Sequence, residues 1–294
     1  MFATDGAAPM KAAGKKLCKK YKDMIHITCV AHALHRVAEL ISEEYPLATK
    51  LILSVKALYK SSHKRRRLFK KNCKRRGIKI KLPAAPVLTR WGTFLEACKY
   101  YASNFDVVED EVRDLNGTTN VYLKAIDLFN NPESKNEILE IANRYSALVD
   151  HFEALQTRDM PTTKVFDLAS EISDVLLEHV NNQKGNERAS NIFKKWKEVV
   201  EKNVGLKQME KIQKLQNNIP VPNQSDLPKN VKINLPYYDY APMVTADVER
   251  SFSVMNRVYT HLRRNMKVSK LGTTMKEIWN AKGIKYFLFK LLKY

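Results

Sequence analysis

Four short stretches hold the residues whose types and spacing could do chemistry. Thr4-Asp5-Gly6 puts a carboxylate after an apolar run and before a glycine turn. Such an aspartate is a cap or a turn former, and beside a second carboxylate it becomes a ligand for a hard cation. Cys29-Val30-Ala31-His32, with His35 close behind, has metal-ligand spacing on a helix. A closed zinc site needs about four ligands; the nearest further thiol, Cys73, and His63 lie inside a basic run and do not form a second spaced pair. Cys29 and His32 therefore read as a partly buried polar pair that braces a neighbouring site through hydrogen bonds. In Arg90-Trp91 the ring reads as a core anchor and the cation as a surface or phosphate-facing group. Glu249-Arg250-Ser251-Phe252 sets Glu249 at the edge of an apolar helical face, where a carboxylate either faces solvent or stands near another charge. No glycine-rich phosphate loop occurs and no G-x-S-x-G elbow, so nucleotide-driven and hydrolase chemistry of those kinds is not supported.

The elements that must position these residues are legible in outline. Phe2-Ala3-Thr4 reads as a strand end, and a helix with Ala7, Met10, Ala13 and Leu17 on one face follows. Ile25 to Cys29 alternates as a short strand. Leu34, Val37, Ala38 and Ile41 repeat at helical spacing, and Pro46 opens a further helix that buries Leu47, Leu51, Val55 and Leu58. Phe94, Ala97 and Tyr101 mark a helix after Trp91. From about 105 to 217 the pattern is helical almost throughout. One long stripe there runs Ile138, Ile141, Tyr145, Leu148, Phe152 and Leu155, with Ser134 and Glu137 spaced as a capping box. Five prolines between 219 and 242 mark a connection. A last major helix spans about Ala246 to Arg264, with Phe252, Met255, Tyr259 and Leu262 facing inward.

Charge separates one third of the chain from the rest. The 294 residues carry a net charge of +20, yet residues 1–100 hold 23 Lys+Arg against 6 Asp+Glu and the remainder 28 against 25. Between Lys56 and Lys81 there are 13 basic residues and no acidic one. A field this one-sided attracts polyanions, since each neutralised phosphate releases condensed counterions. Lys64, Arg65, Arg66, Arg67, Lys70, Lys71, Lys74, Arg75 and Arg76 are the candidate nucleic-acid-binding residues. Two clusters within them, Lys64–Arg67 and Lys74–Arg76, also resemble a two-part import signal and point to the nucleus. No apolar run reaches the roughly 20 residues of a membrane span. Four cysteines are too few for a disulfide framework, which suits a reducing compartment.

Taken in order, Thr4-Asp5-Gly6-Ala7-Ala8-Pro9-Met10, Thr28-Cys29-Val30-Ala31-His32-Ala33-Leu34, Thr89-Arg90-Trp91-Gly92, a long helical stretch and Ala246-Asp247-Val248-Glu249-Arg250-Ser251-Phe252-Ser253 resemble the hAT superfamily of DNA transposases and its domesticated relatives. The resemblance covers about residues 2–266. It implies an RNase H-like core interrupted by a helical insertion, in which two aspartates and a glutamate hold Mg²⁺ or Mn²⁺ for phosphodiester cleavage and strand transfer. It matches Asp5 to the second aspartate and Glu249 to the glutamate. Cys29 and His32 match the C-x-x-H pair, and Arg90 and Trp91 the R-W pair that supports the active site. The segment Leu235–Met266 resembles the region of dimerisation.

The family's first aspartate, its first three strands and its N-terminal zinc finger have no counterpart ahead of Asp5. The resemblance thus implies an N-terminally truncated, catalytically incomplete protein: an α/β remnant of an RNase H-like core, mostly α overall, with a sheet of about two strands and a large helical insertion. The expected organisation is a partial core over 1–103 with the basic stretch 56–81, a helical insertion over 104–218, a Pro-rich connection over 219–242, and a core helix with the dimerisation region over 243–294. The expected partners are DNA and a second copy of the chain, with no membrane and no small-molecule substrate. Two other readings remain open: a fragment of an active metal-dependent transposase, and a non-enzymatic helical interaction module. The tail 286–294 reads as an amphipathic end that needs a partner.

Overall fold

A computed structural model describes residues 1–60, 62–87, 92–182, 185–260 and 266–281. β1 (Phe2–Thr4) and β2 (His26–Thr28) pair in parallel, with Thr4 opposite Thr28. Bonds at the two ends of β2, from Phe2 N–H to the Ile25 carbonyl and from Cys29 N–H to the Thr4 carbonyl, extend the pairing over the whole expected strand. Parallel strands need a crossover, and α1 (Ala8–Lys20) provides it, with a proline in its first turn and Lys19 and Lys20 in its last, where the helix dipole favours cations. Of the face read on α1, Ala7, Ala13 and Leu17 are half-buried and Met10 is exposed; only Gly14 in the helix is fully covered. The helix approaches the sheet so closely that a Cβ on Gly14 would lie 2.3 Å from the His26 ring.

The other α-helices of the described chain are α2 (Val30–Glu44), α3 (Pro46–Lys60), α4 (His63–Arg75), α5 (Thr93–Arg113), α6 (Asn120–Asn130), α7 (Pro132–Tyr145), α8 (Ala147–Leu155), α9 (Thr162–Asn182), α10 (Glu187–Glu201), α11 (Val204–Gln216), α12 (Ala246–Val258) and α13 (Val268–Ala281). The expected Pro-rich connection, between α11 and α12, is irregular apart from a 3-10 turn at Leu235–Tyr238. The protein is thus mostly helical with a two-stranded parallel sheet. Helix α2 lies on α10, α3 on α6 and α7, α5 on α7, and α9 on α8 and α10. The apolar spacings read in α2, α3 and α5 are the buried faces, with Leu34, Val37, Ile41, Leu51, Val55, Leu58, Tyr101 and their neighbours in one continuous core. Helix α5 spans the expected boundary at 103/104 with a kink there, where Asn104 leaves helical geometry. The core is continuous across that point.

Two local expectations are corrected. The long stripe from Ile138 to Leu155 is buried throughout but belongs to two helices that break at Ser146. Ser134 and Glu137 do not form a capping box: Asn131 caps α7 by accepting from Glu133 N–H, at 3.0 Å. Glu137 is buried and caps a different helix. Its Oε2 accepts from Leu47 N–H at 2.8 Å and Ala48 N–H at 2.9 Å, at the start of α3, while Arg188 reaches its Oε1 at 3.3 Å. A carboxylate is the natural acceptor there, because it satisfies two orphan donors at the positive end of the helix dipole.

The last expected helix ends early and turns differently. α12 stops at Val258, and its buried residues are Ala246, Ser251, Val254 and Val258; Phe252 and Tyr259, expected inside, are 49% and 42% exposed. Val254 and Val258 form a small separate cluster with Met266, Leu271, Met275 and Ile278. Leu262 and the tail 286–294 lie outside the described residues.

The sheet is closed on one side by α11. Asn203, buried at its N-terminus, accepts from Leu206 N–H and Thr28 N–H through Oδ1 and donates Nδ2 to the Thr28 carbonyl at 2.8 Å. One side-chain amide therefore caps the helix and occupies the open edge of β2, the kind of edge that otherwise recruits another chain. Gly205 makes this approach possible: a Cβ there would stand 2.1 Å from the His26 carbonyl oxygen. Backbone cannot yield as a flexible side chain can, so Gly205→Ala is expected to destabilise the fold by about 2–3 kcal/mol. Urea unfolding checks it; a variant as stable as the parent would show that α11 does not rest on β2.

Candidate functional site

The junction of β2 and α2 gathers three remote segments. Cys29 N–H donates to the Thr4 carbonyl at 2.7 Å, and Val30 N–H, an orphan donor of the first turn of α2, reaches the Met243 carbonyl at 3.2 Å. Cys29 Sγ accepts from Thr245 N–H at 3.2 Å, and Thr245 Oγ1 lies 3.3 Å from His32 Nδ1. Burial raises the Cys29 pKa, which favours the thiol, and its sulfur holds the start of α12 by accepting from Thr245. Arg250 donates to the Gln156 carbonyl and ties α12 to the end of α8.

These bonds bring Asp5, His32 and Glu249 to one place, although the two carboxylates stand near opposite ends of the chain. Asp5 follows β1 and is exposed, and its Oδ1 accepts from Ala7 N–H at 2.9 Å. Glu249, on the first turns of α12, has Oε1 3.9 Å from His32 Nε2. The Glu249 pKa is raised, first by partial burial and then by the charge of Asp5. The His32 pKa is lowered by burial, against the opposing pull of Asp5. His32 is therefore neutral at pH 7, and a proton on Nε2 would face the carboxylate while Nδ1 accepts from Thr245. The donor set, two carboxylates and an imidazole, has the oxygen-rich chemistry of a hard divalent cation. Among the described residues no three His, Cys, Asp or Glu side chains close around a common point to hold one.

The basic run is a folded helix with two unlike faces. Ser62 caps α4 by accepting from Arg65 N–H at 3.2 Å, and Gly77 and Ile78 N–H close its end on the Lys74 and Cys73 carbonyls. Phe69, Asn72 and Cys73 are buried. Asn72 Nδ2 donates to Glu111 Oε2 at 3.0 Å, and Arg76 bridges Asp110 at 2.7 Å and Glu111 at 3.4 Å. Arg65 and Arg66 reach back to the Leu58 and Lys60 carbonyls, at 3.2 and 3.4 Å, and so cap the C-terminus of α3. Arg65, Arg66 and Arg76 thus spend hydrogen bonds on the protein itself. Lys64, Arg67, Lys70, Lys71, Lys74 and Arg75 are exposed, and Lys64, Arg67, Lys71 and Lys74 follow helical spacing along one stripe. Thr89, Arg90 and Trp91 lie outside the described residues.

The part that α10 plays has no signal in the sequence. Lys195 and Lys202, from the expected insertion, stand beside Asp5 and His32 because α10 packs on α2. Their spacing along the chain does not announce this; it follows from tertiary packing alone. No protein-family model matches the chain, and no curated protein is similar to it.

The charges give the site two measurable signatures. Burial lowers the pKa of His26, His32, His35 and His179 in the folded protein. A lowered folded pKa means that the unfolded chain binds the proton more readily. The contribution of these rings to stability is therefore complete above the unfolded value near 6.5 and is lost as pH falls through the folded values. Melting temperature is expected to drop between about pH 6.5 and 5, and a flat profile would mean that the rings are solvated. Glu249 has the opposite sign: its raised pKa marks an ionised form that the fold disfavours at neutral pH. Glu249→Gln is expected to leave the melting temperature at neutral pH unchanged or to raise it. A clear fall would make the carboxylate a structural partner and not a group held for function.

Proposed function

We propose that the protein is a hAT transposase-derived, DNA-binding protein with a catalytically incomplete RNase H-like remnant, nuclear, and self-associating through its C-terminal region. The observation that carries the reading is the outer face of α4. Six exposed cations stand on one short helix that holds no acidic residue, and the opposite face is anchored by burial and by Glu111. Like charges three and four apart weaken a helix. A sequence that keeps them, and fixes the helix by other means, presents a surface for polyanions. Lysines and arginines so placed meet the phosphate backbone, which positions a protein on nucleic acid without reading its sequence.

The RNase H-like part of the reading is supported by the parallel strand pair with its helical crossover, and by the approach of Asp5 to Glu249 across nearly the whole length of the chain. The two carboxylates and His32 would supply part of the ligand set for Mg²⁺ or Mn²⁺, which when bound would offset the repulsion between Asp5 and Glu249. A two-ion site needs a further shared carboxylate. That shortfall favours a binding protein over a nuclease. Self-association is supported by the apolar side chains of Phe252 and Tyr259 that the end of α12 leaves exposed.

Fluorescence anisotropy with duplex DNA tests the binding reading. Replacing Lys64, Arg67, Lys71 and Lys74 together by glutamate is expected to weaken binding by about 100-fold or more at roughly 50 mM salt, and to lower the salt slope by roughly one for each phosphate no longer neutralised. These four side chains are exposed, and the buried face of α4 is untouched. Unchanged affinity would sink the nucleic-acid reading and leave a helical interaction module.

A further inference from the structure

A cavity of about 150 Å³ opens beside Asp5 and His32. Its walls come from segments far apart in sequence: Asp5 and Lys11 from the start of the chain, His32 and Arg36 from α2, Lys195 from α10 and Lys202 from the residue that ends it. The volume falls below the roughly 300–1,000 Å³ of sites that enclose a drug-sized molecule. The cavity has room for one small group and not for a nucleoside.

The charge around it is unbalanced. Lys11, Arg36, Lys195 and Lys202 face Asp5 and Glu198. Glu198 is paired with Lys202, and one oxygen of Asp5 is taken by Ala7 N–H. Lys11, Arg36 and Lys195 form no close ion pair among the described residues, although Lys195 acts after Lys202 on the charge of Glu198. Their field reaches the neighbours: after burial, Lys11 is the second cause that lowers the His26 pKa, and Arg36 also lowers that of His32. Three cations that line one small space from three separate segments suit a tetrahedral oxyanion, and an arginine fork can take two of its oxygens.

We propose that this cavity is a subsite for a single phosphate group of a nucleic-acid backbone, held by Lys11, Arg36 and Lys195 next to Asp5 and His32. The inference rests on the DNA-binding reading above and extends it from the surface of α4 to the carboxylate site. The helical insertion then has a direct part in binding, because α10 supplies one of the three cations. Free phosphate shares the chemistry, and the test separates the two sources.

The experiment titrates the full chain with inorganic phosphate by calorimetry and measures the salt dependence of duplex DNA binding in parallel. The cavity variant is Arg36→Gln with Lys195→Gln. Its control is Lys50→Gln with Lys124→Gln, exposed cations elsewhere that lower the net charge equally. Melting curves establish that both fold. The expected result is a phosphate affinity about tenfold or more weaker in the cavity variant alone, with its DNA salt slope lower by about one. Loss of phosphate binding with an unchanged DNA slope would assign the cavity to free phosphate and overturn the backbone assignment. Equal phosphate affinity in the two variants, or none in the parent, would overturn the subsite. The α4 reading is judged separately, on the Lys64, Arg67, Lys71 and Lys74 variant, so the two failures are distinguishable.

Discussion

The three residues Thr28 to Val30 are the joint on which the candidate site depends. Each of their N–H groups bonds to a different part of the chain: Thr28 to the Asn203 side chain, Cys29 to Thr4, Val30 to Met243. The Cys29 sulfur adds the N–H of Thr245. A buried backbone group without a partner costs about as much as a lost hydrogen bond, so these segments are held in register together. Asp5 follows Thr4 by one residue and Glu249 follows Thr245 by one helical turn. Their approach is a consequence of that register and needs no attraction between them. The two carboxylates repel: after partial burial, the charge of Asp5 is the second cause that raises the Glu249 pKa.

Helix α4 shows the same logic on the surface. Its charge pattern opposes helix formation, yet the helix is held at both ends and along one face. Ser62 caps its start, Arg76 locks its end to Asp110 and Glu111, and Phe69 fills the core between them. Glu111 is 2% exposed, which makes its two partners obligatory: a buried carboxylate without them would carry its full desolvation cost. Arginine and lysine divide the work along the run. The guanidiniums of Arg65, Arg66 and Arg76 bond to carbonyls and carboxylates of the fold, which suits their fixed fork. The exposed stripe is left mainly to lysines, which act as flexible point charges.

Local periodicity makes the core legible in the sequence, and long-range pairing stays hidden. The faces of α2, α3 and α5 can be read because a half-buried helix repeats its apolar residues every three or four positions. The order of Asp5, Cys29, His32 and Glu249 along the chain points to one neighbourhood, and these residues do lie in one. Glu137 misleads because its partners, Leu47 and Ala48, are 90 and 89 positions away, so a local spacing rule assigns it to its own helix. Phe252 and Tyr259 mislead for a different reason. α12 is fixed at its start by Thr245, and its buried positions are Ala246, Ser251, Val254 and Val258, which leaves the aromatic rings outside. Asn203 carries no sequence signal beyond that of an ordinary cap. Its second role, closing the edge of β2, exists only once α11 has docked.

The charges around the cavity are the clearest mark that the arrangement serves something other than stability. Asp5 and Arg36 line the same small space, yet neither forms an ion pair within it among the described residues. Mobile side chains of opposite sign would close on one another if the backbone allowed it. Here one oxygen of Asp5 is taken by Ala7 N–H, and His32 feels both charges, Asp5 raising and Arg36 lowering its pKa. Holding unlike charges separate in a small space, and like charges near one another, costs stability on both counts. A fold bears that cost when the charges are set in advance for a ligand, since donors and cations already in place need no reorganisation when it arrives. The anion chemistry of the cavity and the carboxylates beside it are two halves of one preorganised surface, fixed by the same joint at Thr28 to Val30.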